Sequence, residues 1–172
     1  MEENRSDFTE EQLKTLPDLN LKTYAILVED LAKDIESRFG IPHIVPIVQS
    51  AHESRNGNSG LARNHCNLFG IVATKSWTDK GRPICSMPTF EFISGKRVDM
   101  HRDFRAYSSW RESFEDWADI ITRLSVYKTA LANFKDGKIR EGIQDMARSY
   151  ASDPQYARSL IALYEVLSQA GV

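Results

Sequence analysis

A single carboxylate stands near the end of Val48-Gln49-Ser50-Ala51-His52-Glu53-Ser54-Arg55-Asn56-Gly57, where an apolar segment meets a helix-stopping pair. The apolar residues recur at three- and four-residue intervals, which predicts a buried helix over about residues 43–53. They are Ile44, Ile47, Val48 and Ala51. Because Asn56-Gly57 is a common helix terminator, the helix is expected to end directly after Glu53.

Glu53 is thus predicted in the last turn of a helix that is otherwise suited to burial. The C-terminus of a helix disfavours negative charge, and burial raises the pKa of a carboxyl group. Both effects favour a protonated Glu53 near neutral pH, which is the state that a general acid needs. The alternative is a solvated glutamate at a fraying helix end, because glutamate is mostly exposed in proteins.

Further blocks of sequence follow this stretch in a defined order. They are Asn67-Leu68-Phe69-Gly70-Ile71, Thr89-Phe90-Glu91, Phe104-Arg105-Ala106-Tyr107-Ser108-Ser109 and Asp153-Pro154-Gln155-Tyr156. Together with Ala51-His52-Glu53-Ser54, they resemble the signature of the family-73 β-N-acetylglucosaminidases. These are peptidoglycan hydrolases related to the flagellar glucosaminidase and to bacterial autolysins. Each block is weak alone, but the ordered set is specific, and the resemblance covers about residues 40 to 170.

The resemblance implies an α+β, lysozyme-like fold, with a mostly helical body and a small β-hairpin lobe flanking a glycan cleft. It also implies hydrolysis of the β-1,4 bond between N-acetylglucosamine and N-acetylmuramic acid by an endo-acting enzyme. Such cleavage needs a proton on the leaving oxygen and stabilisation of an oxocarbenium-like centre. No metal and no organic cofactor are expected.

Roles for individual residues follow from the same resemblance. Glu53 is the expected general acid, and Glu91 and Tyr156 are the other expected catalytic residues. Either Glu91 activates a water in an inverting mechanism, or the substrate's acetamido oxygen attacks and Tyr156 supports the cyclic intermediate. The predicted substrate-binding residues are Asn67, Phe69 and Tyr107. Two structural alternatives stay open, since Glu91 could be a protective edge-strand charge and Asn67 a turn residue.

Other activities are also compatible with parts of the pattern. A lytic transglycosylase or muramidase also carries Glu-Ser after a helix, although such enzymes usually have a Gly-Leu-Met-Gln-like block where this chain has Asn67-Leu68-Phe69-Gly70-Ile71. A non-catalytic peptidoglycan-binding module with a degenerate site is another alternative. The presence of Glu53, Glu91 and Tyr156 together argues against it.

Composition narrows the class of protein. The chain has 172 residues, 41% of them hydrophobic and 27% charged, which predicts one domain with a substantial core. Its net charge of −2 gives no basic field for nucleic acid, and no apolar run is long enough to span a bilayer. We expect a monomer that acts on peptidoglycan strands in the cell wall, whether periplasmic, extracellular or phage-released. The polar start of the chain shows no secretory signal, so the export route stays open.

The chain divides into a leader and a domain. Residues 1–17 are predicted to be a polar leader that lies along the surface or is disordered, and residues 18–172 a single catalytic domain. Helices are expected at about 20–39, 43–53, 59–64, 110–124, 127–133, 138–150 and from 154, and a hairpin at about 88–100. The helix after Ser109 presents one apolar face, formed by Trp110, Phe114, Trp117, Ile121 and Leu124. Cys66 and Cys85 form one disulfide or stay as two thiols.

Overall fold

A computed structural model describes residues 8–172, apart from the side chains of Glu10, Glu91 and Phe92. The described part is mostly helical, with one antiparallel pair of strands inserted between helices. The elements are α1 (Glu10–Thr15), α2 (Leu21–Phe39), α3 (Ile44–Ser54), α4 (Gly60–His65), α5 (Lys75–Thr78), β1 (Ile84–Ile93), β2 (Lys96–Arg105), α6 (Trp110–Arg123), a 3₁₀ turn (Ser125–Tyr127), α7 (Lys128–Lys135), α8 (Ile139–Tyr150) and α9 (Pro154–Gln169). This is the predicted helical body with a small hairpin lobe.

The helix starts are set by the capping residues that the sequence indicated. The side chain of Asn20 accepts a hydrogen bond from the backbone N–H of Thr23, and Ser109 caps α6 in the same way. Asp153 caps α9, where Pro154 occupies the first turn and loses no hydrogen bond there. These local signals therefore place the elements correctly to within a few residues.

The core is built around α3, whose apolar face and whose Gln49, Ser50 and Ser54 are all buried. α6 supplies the large aromatic side chains that cover it, and Phe69 stacks on Trp117 with ring centroids 5.1 Å apart. The predicted apolar face of α6 is confirmed except at Leu124. That residue follows the last turn in an extended conformation and is 40% exposed.

The hairpin is longer than predicted. β1 and β2 pair in register from Ile84 opposite Arg105 to Ile93 opposite Lys96. Pro88 was predicted to begin the first strand, but it lies inside β1 opposite His101. Because each strand of a two-stranded ribbon has one free edge, proline can be accommodated there without removing a ladder bond. The hairpin is tied to the body at its base, where the N–H of Arg105 donates to the carbonyl of Ile71 and that of Ala73 to the carbonyl of Asp103.

The segment before residue 18 is folded where the structure describes it. Thr9 and Gln12 form a capping box for α1, and Leu13 is fully buried. The guanidinium of Arg63 donates to the carbonyls of Leu13, Leu16 and Pro17, which fastens the segment to α4. The sequence suggested a loose or surface-lying leader because α1 is short, whereas its anchor lies almost fifty residues away. The first seven residues of the predicted leader lie outside the described part.

Two further expectations concern the cysteines and the membrane. Cys66 and Cys85 are both buried and are not joined to each other, so the disulfide alternative is wrong for this structure. Over residues 8–172, no helix has the length and apolarity needed to cross a bilayer.

Candidate active site

Glu53 lies in the last turn of α3, and the turn that follows fixes its position. Arg55 and Asn56 both have positive φ angles, of 53° and 58°, and the N–H of Gly57 donates to the hydroxyl of Ser54 at 2.7 Å. A Cβ on Gly57 would stand 3.0 Å from the indole of Trp110, so the backbone approaches the core closely here. The helix end is therefore rigidly packed and does not fray.

The environment of Glu53 raises the pKa of its carboxyl group. Burial is the main cause, and it is opposed by a hydrogen bond from Tyr156 and by the electrostatic interaction with His52. The side chain is only partly buried, so a substrate can reach it. The partly buried position of Glu53 at a packed helix end, with a raised pKa, differs from the solvated alternative.

Tyr156 comes from the first turn of α9 and meets Glu53 across the site. Its hydroxyl hydrogen-bonds the Glu53 carboxyl group and also accepts a hydrogen bond from the amide nitrogen of Gln49 at 2.9 Å. The ring stacks on Tyr150, with centroids 6.0 Å apart, and contacts the edge of His52. Burial and the neighbouring Glu53 raise the pKa of Tyr156, so its hydroxyl stays protonated and acts as a hydrogen-bond donor.

Gln49 is a site residue that the sequence did not reveal. It lies one turn before Glu53 on α3 and is fully buried. Its carbonyl oxygen accepts a hydrogen bond from the indole N–H of Trp117 at 2.7 Å. The available signal was a lone amide among the buried apolar residues of a helix, four residues before the predicted acid.

The Asn67–Ile71 loop passes beside the carboxyl group of Glu53. Gly70 has a φ of 64°, and a Cβ placed on it would stand 3.5 Å from Oε2 of Glu53. The carbonyl of Phe69 accepts a hydrogen bond from the hydroxyl of Tyr150 at 2.7 Å, which ties this loop to α8. Glycine is favoured at this position because it tolerates the left-handed conformation, and any other residue would place its Cβ against the acid.

Asn67 and Phe69 hold this loop in place and are not open to a sugar. The amide of Asn67 donates to the carbonyls of Ile71 and Arg105 and accepts from the N–H of Ile71. The ring of Phe69 is fully buried against Phe114 and Trp117. The structure thus fits the open alternative for Asn67, a turn residue, and it gives Phe69 a supporting position below the cleft surface.

Tyr107 is likewise occupied within the protein. Its hydroxyl donates to the carboxylate of Asp116 at 2.6 Å, and Arg105 donates to the same carboxylate at 2.8 Å. Only 7% of Tyr107 is exposed. The predicted direct contact between Tyr107 and substrate does not fit this position, because the hydroxyl is used in an internal ion-pair network.

Glu91 lies in β1 opposite Val98, near the tip of the hairpin. Its side chain is among the three that lie outside the description, so the structure fixes only its place in the strand. Among the described side chains, His, Cys, Asp and Glu form no group of three or more that could hold a metal ion.

The site brings together a glutamate with a raised pKa at a helix end, a tyrosine from the last helix and the loop that contains Gly70. A family model described as glucosaminidase, mannosyl-glycoprotein endo-beta-N-acetylglucosaminidase, matches residues 29–169. The chain belongs to the glucosaminidase family. The family resemblance drawn from the ordered sequence blocks is therefore confirmed.

Relatives of this glucosaminidase-family chain include a peptidoglycan hydrolase and an exo-glucosaminidase. The peptidoglycan hydrolase FlgJ of Salmonella typhimurium is 34% identical over 134 residues, which cover 74% of this chain and 40% of FlgJ. The exo-glucosaminidase LytG of Bacillus subtilis is 32% identical over 149 residues, covering 81% of this chain and 50% of LytG. The chain thus spans half or less of the length of these two relatives.

The fold comparison agrees with the family. A truncated glycoside hydrolase domain of Salmonella typhimurium FlgJ superposes with a TM-score of 0.70 and 27% identity, covering 87% of this chain and 99% of that domain. The predicted lysozyme-like α+β fold of this glucosaminidase-family chain is therefore confirmed.

Proposed function

We propose that this glucosaminidase-family domain hydrolyses the β-1,4 bond between N-acetylglucosamine and N-acetylmuramic acid in peptidoglycan, with Glu53 as the general acid. The observation that carries the proposal is the carboxyl group of Glu53, partly buried at the end of α3 with a raised pKa. Peptidoglycan as substrate is supported by the similarity to FlgJ, which is a peptidoglycan hydrolase. Residues 18–172 are the proposed catalytic domain.

Proton transfer is the first requirement of the reaction. Glu53 holds its proton to a higher pH than an exposed glutamate does, because burial disfavours the carboxylate. Its proton passes to the glycosidic oxygen as the bond to the anomeric carbon breaks, so the leaving sugar departs as a neutral alcohol. Oε2 of Glu53, which lies beside Gly70, is the oxygen that the leaving group would approach.

The second requirement is stabilisation of the positive anomeric centre, for which two schemes compete. In one, Glu91 activates a water on the opposite face of the sugar, and the configuration inverts. In the other, the acetamido oxygen of the substrate attacks, and Tyr156 supports the cyclic intermediate. We favour the second scheme, because the hydroxyl of Tyr156 lies beside Glu53, whereas Glu91 lies on a hairpin that is tied to the body at its base.

An exo-acting enzyme is a second candidate, because the similar LytG is an exo-glucosaminidase. An endo enzyme shortens glycan strands from the beginning of the reaction, whereas an exo enzyme releases terminal units while the average strand stays long. We propose the endo mode. Size-exclusion chromatography of glycan strands after brief digestion separates the two modes.

Digestion of purified peptidoglycan, followed by borohydride reduction and mass analysis of the products, tests the proposed bond. New reducing ends on N-acetylglucosamine support the proposal. Reducing ends on muramic acid would indicate a muramidase, and anhydro-muramic ends a lytic transglycosylase. Binding to peptidoglycan with no new ends would indicate a binding module.

The proposed place of action follows from the substrate. The domain would act as a monomer on glycan strands in the cell wall, in the periplasm, outside the cell or after release by a phage. Sedimentation analysis of the purified domain at micromolar concentration checks the monomer, and a concentration-dependent dimer would contradict it.

A further inference from the structure

Two hydrogen bonds lead from the core to Tyr156, whose hydroxyl lies beside the proposed acid. The indole N–H of Trp117 donates to the Gln49 carbonyl oxygen at 2.7 Å, and the Gln49 amide nitrogen donates to the Tyr156 hydroxyl oxygen at 2.9 Å. Trp117 and Gln49 are fully buried, so water does not compete for the bond between them. The Tyr156 hydroxyl is the group that lowers the pKa of the neighbouring Glu53 carboxyl by hydrogen bonding.

The chemistry of the indole donor fixes which group donates and which accepts in both hydrogen bonds. An indole N–H can only donate, so the Gln49 oxygen must face Trp117 and its NH₂ group must face Tyr156. An amide NH₂ group also can only donate, so it occupies a lone pair of the Tyr156 oxygen. The hydroxyl proton of Tyr156 therefore cannot go to Gln49, and the neighbouring Glu53 carboxyl is the acceptor beside it.

This direction matters for a general acid. If the Tyr156 oxygen accepted a hydrogen bond from Glu53, the acidic proton would be held by the protein instead of the substrate. With Tyr156 as donor, the proton of Glu53 is left for the glycosidic oxygen, and the carboxylate formed after transfer already has a donor in place. The absence of a side chain at Gly70 leaves Oε2 of Glu53 without a Cβ 3.5 Å away.

We propose that Gln49 is a positioning residue that keeps Tyr156 as the donor and Glu53 as the acceptor in the catalytic pair. The proposal rests on the proposed function of Glu53. Both ends of the buried Gln49 amide are paired, its oxygen with Trp117 and its NH₂ group with Tyr156, so the amide can hold the Tyr156 hydroxyl in one orientation.

The test uses the whole domain with Gln49 replaced by Met, which has a similar length and no strong hydrogen-bond donor or acceptor. We expect Gln49→Met to lower kcat by about tenfold to a hundredfold with little change in KM, which is typical of lost positioning. The matched control is Ser50→Ala on the same helix. Ser50 is also fully buried, and it accepts a hydrogen bond from Tyr24 at 2.7 Å, so its loss likewise leaves a buried donor without its partner. This control should lower the melting temperature and leave kcat unchanged.

A double-mutant cycle separates positioning from general damage. If Gln49 acts through the Tyr156 hydroxyl, adding Gln49→Met to Tyr156→Phe costs nothing further in kcat, because the group that it positions is already gone. Multiplicative losses in the double variant would overturn the proposal. So would a kcat loss in Ser50→Ala as large as that in Gln49→Met.

A pH profile gives a second readout that a merely structural role would not move. The hydrogen bond donated by Tyr156 favours the Glu53 carboxylate and so lowers the pKa of Glu53. Because Gln49→Met weakens this hydrogen bond, kcat/KM in that variant should begin to fall at a higher pH than in the parent. Ser50→Ala should show no such change. An unchanged pH dependence at high pH in Gln49→Met would contradict the proposed direction.

If the parent domain cleaves no glycan, the proposed function fails separately. The direction is then tested by ¹³C NMR titration of Glu53, where Gln49→Met should raise the midpoint and an unchanged midpoint would overturn the proposal.

Discussion

At the residue scale, Glu53 is subject to opposing effects. Burial raises the pKa of its carboxyl group, whereas Tyr156 and His52 lower it, and the net shift is upward. A catalytic acid needs this balance, because a fully desolvated carboxyl would hold its proton too tightly and an exposed one would lose it below neutral pH. The residues that set the balance come from α3 and α9, which lie far apart in sequence.

Removing the Tyr156 hydroxyl should change the pH dependence of the reaction. The Tyr156 hydrogen bond lowers the pKa of Glu53, so Tyr156→Phe should raise that pKa further. A general acid works in its protonated form, so activity should persist to higher pH, while maximal turnover falls. A plain structural hydrogen bond would cost roughly 1 kcal/mol of stability and little activity. The measurement is kcat/KM from pH 4 to 9. A lower melting temperature with unchanged kinetics would show that the Tyr156 hydroxyl has only a structural role.

Glu53 should also make the folded domain less stable as the pH rises. Its pKa is higher in the folded state than in the unfolded chain, so the folded state binds more protons between the two pKa values. Stability from this group is therefore full below the unfolded pKa and is lost as the pH rises through the folded pKa. Glu53→Gln should melt at a higher temperature than the parent near pH 8, with a smaller difference near pH 4. A lower melting temperature for Glu53→Gln at both pH values would show that the carboxylate is well accommodated.

At the element scale, the hairpin is attached to the body through hydrogen bonds at its base, including the bond from Arg105 to the carbonyl of Ile71. Its Ser94-Gly95 turn has φ angles of 51° and 76°, as a tight two-residue hairpin turn requires. Glu91 lies near this tip, in a strand whose partner also has a free edge. A lobe of this kind is suited to closing over a glycan.

Replacing Glu91 distinguishes the two mechanisms. If the acetamido group of the substrate is the nucleophile, Glu91→Gln should keep appreciable activity, and the released anomeric carbon should retain its configuration. We expect this milder outcome. Single-turnover cleavage of a defined muropeptide, with the anomeric configuration determined by NMR, is the measurement. Near-complete loss of activity in Glu91→Gln, with inversion by the parent, would show that Glu91 is the base.

α1 is held to the body mainly through Arg63. The guanidinium donates to the carbonyls of Leu13, Leu16 and Pro17, and also to the carbonyl of Gly57 beside the active-site helix. Arg63→Met should destabilise the domain by about 3 kcal/mol, because carbonyls lose a charged donor. Lys33→Met is the control, since its exposed pair with Glu29 is screened by solvent and should contribute little to stability. Urea unfolding measures both, and equal losses would contradict an anchoring role for Arg63.

At the scale of the whole molecule, features set by neighbouring residues could be predicted from the sequence, whereas contacts between distant residues could not. Caps such as Asn20 and Asp153 and the periodicity of α3 are local, so the longer helices were predicted to within a few residues, whereas the short α1 and α5 were not predicted. The position of Glu53 at a helix end followed from the same signals. The partners of a buried polar group depend on which elements meet in space, so the Gln49–Trp117 bond and the burial of Phe69 and Tyr107 could not be read from spacing. The anchoring of α1 by Arg63 was hidden for the same reason.

The most direct test of the account compares the parent domain with Glu53→Gln on purified peptidoglycan, counting new reducing ends on N-acetylglucosamine with time. Loss of a general acid typically costs about a hundredfold to ten-thousandfold in rate, and the isosteric amide should leave the fold and glycan binding intact. We predict that the parent produces these ends and that Glu53→Gln falls by that range while still binding the glycan. Activity of Glu53→Gln within a few-fold of the parent would contradict the central assignment of Glu53 as the acid.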